Sequence, residues 1–478
     1  MMAVRKHFVD NRLLGWSDVA PNPGAPLRTQ YVLAANVLVF ALAQTAVIPA
    51  LSHIGEGLDR NSADVAWILT GYFVSAAVCT PILGRLGDMW GRRKVLVAAM
   101  ALFALGSLIS AVGPTLEVIV LGRVVAGVGG GVFPLCFGIT RSTMPIRRVP
   151  AAIGTLSAMG GLGASGGLFL GGVVMDLGGF RLLFWAGAIP AAIVSVLDHF
   201  WLPDSGERAG GSVDIVGAGL LTLGLATPLM ALSQGVQWGW TDPKTLTLAL
   251  FGLAVLVLWV RHSLSATTPL IDIRHAVKPA LLRTNMATLL AGSAIFVPFL
   301  LVPTIGQAPI STGYGLGLSA TGAGLLLVPG TLISLFAGPL SGRISFRWGS
   351  RIALFLGCLI NAGGLVLLAL TAGHGVVTMV LLATLALGGG SIAFAAMPNA
   401  IIEAVSPERT GEGTGLNAVV RAIGSSLGTQ VASIILVAGV VVGTGLPSVS
   451  AYEIAFFVGS AGALVAGLTA LSIPRPSG

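Results

Sequence analysis

Gly84-Arg85-Leu86-Gly87-Asp88-Met89-Trp90-Gly91-Arg92-Arg93 recurs 258 residues later as Gly342-Arg343-Ile344-Ser345-Phe346-Arg347-Trp348-Gly349-Ser350-Arg351. Glycine, arginine, tryptophan, glycine and arginine hold the same places in both copies, and each copy follows the second apolar run of its own series. The triple glycine Gly129-Gly130-Gly131 returns as Gly388-Gly389-Gly390 at an offset of 259, so the equivalence persists into the fourth run. The chain is therefore read as a duplication, and duplicated helical halves around a central site are an architecture of secondary transporters.

Outward from that stretch, composition sets the solvent. Only 9% of the 478 residues are charged, against roughly 25% in soluble domains, and the mean hydropathy is +0.92. Apolar runs bounded by Gly, Pro or charge predict helices at 29–51, 65–84, 94–113, 115–138, 150–175, 181–202, 213–233, 245–262, 280–303, 317–341, 351–372, 375–397, 412–440 and 452–473. Each is near the ~20 residues that cross a bilayer. With the N-terminus inside, twenty-one of the 26 basic residues fall on the cytoplasmic side and three, Arg60, Arg181 and Lys244, on the other. That asymmetry follows the positive-inside rule and accounts for the +8 charge without a nucleic-acid partner.

The expected fold is an all-α polytopic membrane protein of two pseudo-symmetric six-helix bundles plus an inserted helix pair. It has fourteen transmembrane helices and cytoplasmic termini. The expected plan is a tail at 1–28, bundles at 29–203 and 280–473, a linker with two extra helices at 204–279, and a second tail at 474–478. Residues 1–28 lack the continuous apolar region of a cleaved signal, so the first helix is expected to act as its own insertion signal. Cys79, Cys136 and Cys358 sit singly in apolar runs and suggest neither a disulfide framework nor a metal site.

The stretch 84–94 resembles the G-x-x-x-D-x-x-G-R-R/K signature of the major facilitator superfamily. The whole chain is similar to that superfamily's fourteen-helix drug:proton antiporter family. The resemblance implies a gating role for Gly84, Arg85, Gly87, Asp88, Gly91, Arg92 and Arg93. Physically, Asp88 can accept hydrogen bonds from a helix N-terminus or pair with an arginine. The segment Leu121-Gly122-Arg123 through Gly131 is similar to the family's fourth helix, with Ala126 where a glutamine is common. Arg123, ~12 Å into the span, is costly there unless it faces a cavity. On the fifth helix Gly160 to Gly172 resembles G-x-x-x-G-P-x-x-G-G without its proline, and Gly163, Gly167, Gly171 and Gly172 are expected to permit close helix packing.

Other chemistry fails on context. No G-x-x-x-x-G-K-[ST] occurs, so no ATP site is expected and a proton gradient is the implied energy source, with no cofactor or metal. Gly163-Ala164-Ser165-Gly166 has no histidine at its depth to serve as a base. The G-x-G-x-x-G from Gly161 to Gly166 follows no predicted strand. Where the family's first helix keeps an aspartate, this chain has Phe40. Glu117, Asp64, Asp176, Glu453, Asp198 and Glu403 lie near helix ends and read as interfacial, solvated acids.

Gln44, Thr45, Arg123, Asn417 and Arg421 are the expected substrate and proton pathway. The expected activity is export of small amphipathic molecules across the cytoplasmic membrane by alternating access, in exchange for protons. The protein is expected to work as a monomer in the lipid bilayer, as a transporter and not as an enzyme. An uptake permease of the same superfamily or a non-transporting sensor or scaffold is the alternative. The inserted pair, uncharged from Ile215 to Thr241, reads as peripheral.

Overall fold

The computed structural model describes residues 25–474 except 61, 66, 205–213, 268, 270, 373–374 and 442–445. Most of the expected tails, with Arg5, Lys6, Arg12 and Arg475, lies outside the described residues. So do His7, Arg208, His374 and the side chains of Ser165 and Asp176.

In chain order the long helices begin with α1, Ala25–Thr45, α2, Trp67–Trp90, α3, Arg92–Val112, and α4, Leu116–Thr143. Next comes α5, built of Val149–Ala164 and Phe169–Met175 with a 40° bend between them, and α6, Leu177–Trp201. The first turn of α6 is broken at Gly179, φ +72°, ψ −178°, a backbone region essentially closed to residues with a Cβ. The inserted pair is α7, Ile215–Trp238, and α8, Pro243–Ser265. The remainder are α9, Pro279–Gln307, α10, Thr321–Trp348, α11, Ser350–Leu370, α12, Val376–Ala404, α13, Pro407–Ala438, and α14, Val449–Leu471. Among the described residues eleven helices are long and apolar enough to cross a membrane, or twelve when bent α5 counts as one span.

The helices exist because nearly every position is apolar. Their ends are set where a residue cannot continue the backbone pattern. Asp214, Asp242 and Ser448 cap α7, α8 and α14 by accepting backbone N–H bonds with their side chains. α1 stops at Thr45, short of the expected 51. A short turn over Ile48–Ala50 with Pro49 at its start follows, because proline has no N–H with which to continue the preceding helix.

One buried core runs from Val32 to Leu202 through Phe103, Leu135 and Ile153 and takes in Ile402 of α12. Two others draw on residues from Ala287 to Ile473, including Leu301, Leu354, Met397 and Phe456. A smaller cluster joins Leu221, Leu225 and Trp259 of the inserted pair to Val78 on α2 and Val419 on α13. The pair thus lies over the seam between α2 and α13, a more specific placement than the peripheral one expected.

The duplicated stretch, expected to lie between the helices at 65–84 and 94–113, is largely helical. Residues from Gly84 to Trp90 are the last two turns of α2, and the chain reverses on Gly91 alone, at φ +104°. Gly349, 258 residues later, does the same at φ +86°. In both copies one glycine supplies the left-handed turn that a Cβ disfavours, and the other glycines serve packing. The triple glycines have diverged: Gly127–Gly131 is a tighter 3₁₀ segment within α4, whereas Gly388 to Gly390 lie in regular α12.

Candidate functional site

Asp88 sits on the last turn of α2 and is 1% exposed. It accepts hydrogen bonds from the Gly411 N–H (3.2 Å) and the Glu412 N–H (2.9 Å) in the first turn of α13, and from Arg92 Nε (2.9 Å). A carboxylate at a helix N-terminus meets unpaired N–H donors and the positive end of the helix dipole. The equally buried Arg92 completes the set, donating to the Gly138 carbonyl on α4 (3.0 Å) and to the Pro407 carbonyl at the start of α13 (2.6 Å). Arg85 Nη1 stands 3.8 Å from Glu412 Oε2. These bonds tie α2, α3 and α4 to α13, so one carboxylate and one guanidinium join the two parts of the chain. Arg93 turns elsewhere and donates to the His199 carbonyl on α6.

The sequence did not single out Arg141, which strengthens the same junction. Its guanidinium donates to the carbonyls of Val405 (2.8 Å) and Ser406 (3.1 Å) and to Thr410 Oγ1 (2.8 Å). The helices also meet here backbone to backbone. A Cβ on Gly84 would overlap the Gly411 carbonyl, and one on Gly411 would overlap the Gly84 carbonyl. The other junction is built alike without charge. Gly154 of α5 and Gly338 of α10 approach each other's carbonyls, and Gly342 abuts Pro150 and Ala151. The internal repeat held the signal for this pair, since Pro81-Ile82-Leu83-Gly84 returns as Pro339-Leu340-Ser341-Gly342.

The repeat leaves the two junctions unequal. Phe346 takes Asp88's place and is 53% exposed, while Arg351 makes one long bond to the Ile473 carbonyl (3.5 Å). Arg92→Ala is therefore expected to reduce transport far more than Arg351→Ala at matched protein levels. The reverse order would overturn the assignment of the gate to α2 and α13.

The connection after α8 docks on the same turn. The Asp272 N–H donates to Glu412 Oε1 (2.8 Å), and Asp272 Oδ2 lies 3.3 Å from Arg409 Nη1 and 2.7 Å from His275 Nδ1. Burial alone would raise the Asp272 carboxyl, but the hydrogen bonds from His275 and Arg409 outweigh it and hold the group below the usual carboxylate range.

The residues expected to line the pathway form two separate groups. Arg123, 1% exposed, lies with its guanidinium carbon 4.0 Å from the centre of the Tyr72 ring, and Nε and Nη2 have no hydrogen-bond partner. Phe40 borders the same ring. On α13 Asn417 donates to Asn285 Oδ1 (3.0 Å) and Thr288 Oγ1 (2.9 Å). Arg421, one turn on, stacks over Phe394 at 4.4 Å. No hydrogen bond or ring contact joins the two groups among the described residues, and neither arginine has a carboxylate within ion-pair distance. Each rests instead on an aromatic face, which attracts a cation without neutralising it. Half-buried Thr45 returns its hydroxyl to the Ala41 carbonyl (3.1 Å), and Gln44 is half-buried on the same last turn of α1.

Of the four glycines expected to permit close packing on α5, three face the first helix and the turn that follows it. Gly163 and Gly167 meet Ala41 and Thr45 of α1, and Gly171 meets Ala46 just beyond its end; the three glycines are four residues apart and so on one helix face. Gly172 does not: a Cβ there would find nothing within 4 Å, because one further residue turns it by ~100° from that face.

The acids also need correction. Glu117 is exposed and paired to Arg60 at 3.0 Å, as an interfacial acid would be. Glu403 accepts from the Ser350 N–H (3.2 Å) and hydroxyl (2.5 Å) at the start of α11. Asp198, expected to be solvated, is instead 0% exposed. Counting residues from a helix end locates depth along the helix but not which neighbours cover it.

The sequence profile of the Major Facilitator Superfamily matches residues 33–429. A multidrug resistance protein B homolog from Mycobacterium tuberculosis is 30% identical over 419 residues, which span 86% of this chain and 76% of that protein. The tetracenomycin C resistance and export protein of Streptomyces glaucescens is 29% identical over 436 residues, 88% of this chain and 78% of its own. Among solved structures, the human organic anion transporter MFSD10 (TETRAN) superposes with a TM-score of 0.65 at 17% identity. That superposition covers 94% of this chain and 100% of the other, a likeness of fold.

Proposed function

The chain belongs to the major facilitator superfamily, and from that premise we propose that it exports small amphipathic drugs or natural products across the cytoplasmic membrane in exchange for protons. In this reading α1 and α7 bring the spans to fourteen, both termini are cytoplasmic, and the halves at 29–203 and 280–473 rock about a midplane site. The protein works as a monomer without cofactor or ATP. Export is supported by the names of two relatives, which are a multidrug resistance protein homolog and a resistance and export protein.

The observation that carries the mechanism is the Asp88–Arg92 junction with the first turn of α13. Its bonds cross between the halves, so they exist in one arrangement and are lost in the other. A contact present in only one of two states biases the equilibrium between them by its full energy. Positive-inside topology puts this end at the cytoplasm, making the junction a cytoplasmic gate in its closed arrangement. Opening it exposes Arg123 and Tyr72 from one half and Asn417 and Arg421 from the other to a common cavity.

Substrate charge follows from the two arginines. A guanidinium that rests on an aromatic ring with no carboxylate beside it attracts anions and repels cations, at several kcal/mol for a close contact in a site of low dielectric. Across amphiphiles that differ only in charge, neutral and anionic members are expected to bind more tightly than quaternary ammonium members. Binding to the purified protein checks this, and tight binding of a permanent dication with weak binding of its neutral analogue would sink it. Everted vesicles test direction: substrate uptake driven by internal acid supports export. Accumulation by intact cells instead favours the uptake permease, and a lack of any substrate movement favours a non-transporting role.

A further inference from the structure

The inserted pair forms one body at its cytoplasmic end. Asp214, which caps α7, lies 2.9 Å from His262 Nε2 on α8, and Leu221, Leu225 and Trp259 are buried in a common cluster. The connection that leaves α8 folds back onto it. Ser263 donates to the Ile271 carbonyl (2.5 Å), and the Ile271 side chain is buried in the same cluster. Val78 and Ile82 of α2 and Leu416, Val419 and Ile423 of α13 complete that cluster. The pair therefore covers the line along which the two halves part at the gate.

Its attachments to the two helices differ in kind. Toward α2 the cluster presents apolar side chains. Toward α13 it adds directional bonds, from the Asp272 N–H to buried Glu412 (2.8 Å) and from Arg409 Nη1 to Asp272 Oδ2 (3.3 Å). Asp272 Oδ1 caps the short helix Ile273–Ala276 through the Arg274 N–H (3.1 Å), which fixes the carboxylate in place. In a bilayer the two kinds of contact are not equally costly to break. Lipid chains replace an apolar neighbour with little loss, because no hydrophobic force drives helices together in lipid. Glu412 has no such substitute. When the gate opens and α2 withdraws Arg85, now 3.8 Å from Oε2, the Asp272 N–H becomes the bond that this buried carboxylate can least spare.

We propose that the inserted pair travels with the second half and seals the opening gate against lipid, with Asp272 as the positioning residue that anchors it to α13. The role rests on the cytoplasmic gate proposed above. As the ends of α2 and α13 part, the pair stays on α13 and its apolar face slides over α2. Protein then covers the widening gap, and lipid chains stay out of the cavity. A cavity that accepts amphipathic molecules needs such a cover, since a lipid is itself an amphiphile.

Trp259, 6% exposed within the cluster, reports on the cover without any substrate. Lipids with brominated chains quench tryptophan on contact, so emission of the purified protein is compared in brominated and unbrominated bilayers. Asp272→Pro removes the N–H and the carboxylate together, and φ −80° at this position suits proline. Quenching is expected to rise in that variant by up to the share of one tryptophan in nine, and the rise to vanish when Trp259→Phe is added. No rise, or one that survives Trp259→Phe, overturns the anchor. Should Asp272→Pro fail to fold, Asp272→Ala keeps the N–H and is expected to give a smaller rise, and quenching at the wild-type level overturns the anchor there too.

Asp88→Asn, which weakens the gate, supplies the second arm. Hydrogen exchange at the Gly411 and Glu412 N–H groups reads the gate, and quenching of Trp259 reads the cover in the same bilayers. The expected result is exchange at least roughly tenfold faster than in the wild type, with quenching unchanged. Faster exchange with more quenching means that the pair does not keep the gap covered, which excludes the seal and leaves the gate standing. Unchanged exchange removes the gate, and the seal with it.

Discussion

Asp88→Asn is expected to cut export by at least roughly tenfold while the protein accumulates and stays folded. The asparagine keeps the size of the side chain but leaves the Arg92 guanidinium, 1% exposed, as an unpaired buried charge. It also weakens the bonds to the Gly411 and Glu412 N–H groups. Breaking a buried pair from one side costs about 3–5 kcal/mol, and 3 kcal/mol moves a two-state equilibrium by roughly 150-fold. The loss falls on the closed gate and not on the fold, because Asp88 belongs to none of the apolar cores that hold each half. Transport into vesicles, with protein quantified on the same membranes, measures it. A wild-type rate would remove Asp88 from the gate.

Gly411→Val is expected to abolish export by a different route. Its side chain would meet the Gly84 carbonyl and, at 2.9 Å, both oxygens of Asp88, so α13 could not seat against α2. Overpacking of this kind costs about 1–3 kcal/mol where the structure can yield. Here the neighbour is backbone and yields only if the halves part. Gly84→Val breaks the same contact, so the double variant should be no worse than either single one, the signature of a shared interaction. Gly172→Val, with open space around it, is the matched control and should export normally. Equal loss in Gly172→Val and Gly411→Val would point to general damage and not to a gate.

These expectations differ in how much of them the sequence disclosed. The apolar runs, the basic asymmetry and the offset of 258 made the helical duplication legible, because span length and charge are properties of single segments. Asp88 could be singled out with its two classes of partner, a helix N-terminus and an arginine, since both follow from the chemistry of a carboxylate. Which helix was hidden: Gly411 lies 323 residues away, and no local pattern encodes a pairing of that range.

Arg141 read as one more cytoplasmic arginine, although it bonds three residues of the opposite half. Asp198 was misread for a related reason, since its depth along α6 was estimated correctly while its cover by α1, α3 and α4 was not visible. The glycines misled in a third way. A glycine-rich stretch suggests a loop, yet in a membrane the same residues let helices touch, and only Gly91 makes the turn.

The proton balance of a single transport event tests the central claim most directly. Purified protein is reconstituted with a pH-sensitive dye trapped inside the vesicles, the amphiphiles that differ only in charge are added outside, and internal pH and substrate are followed together. Exchange predicts that the interior becomes more alkaline as substrate enters, with protons leaving in fixed proportion, and that Asp88→Asn slows both signals equally. Substrate entry with unchanged internal pH, or with acidification, would contradict it.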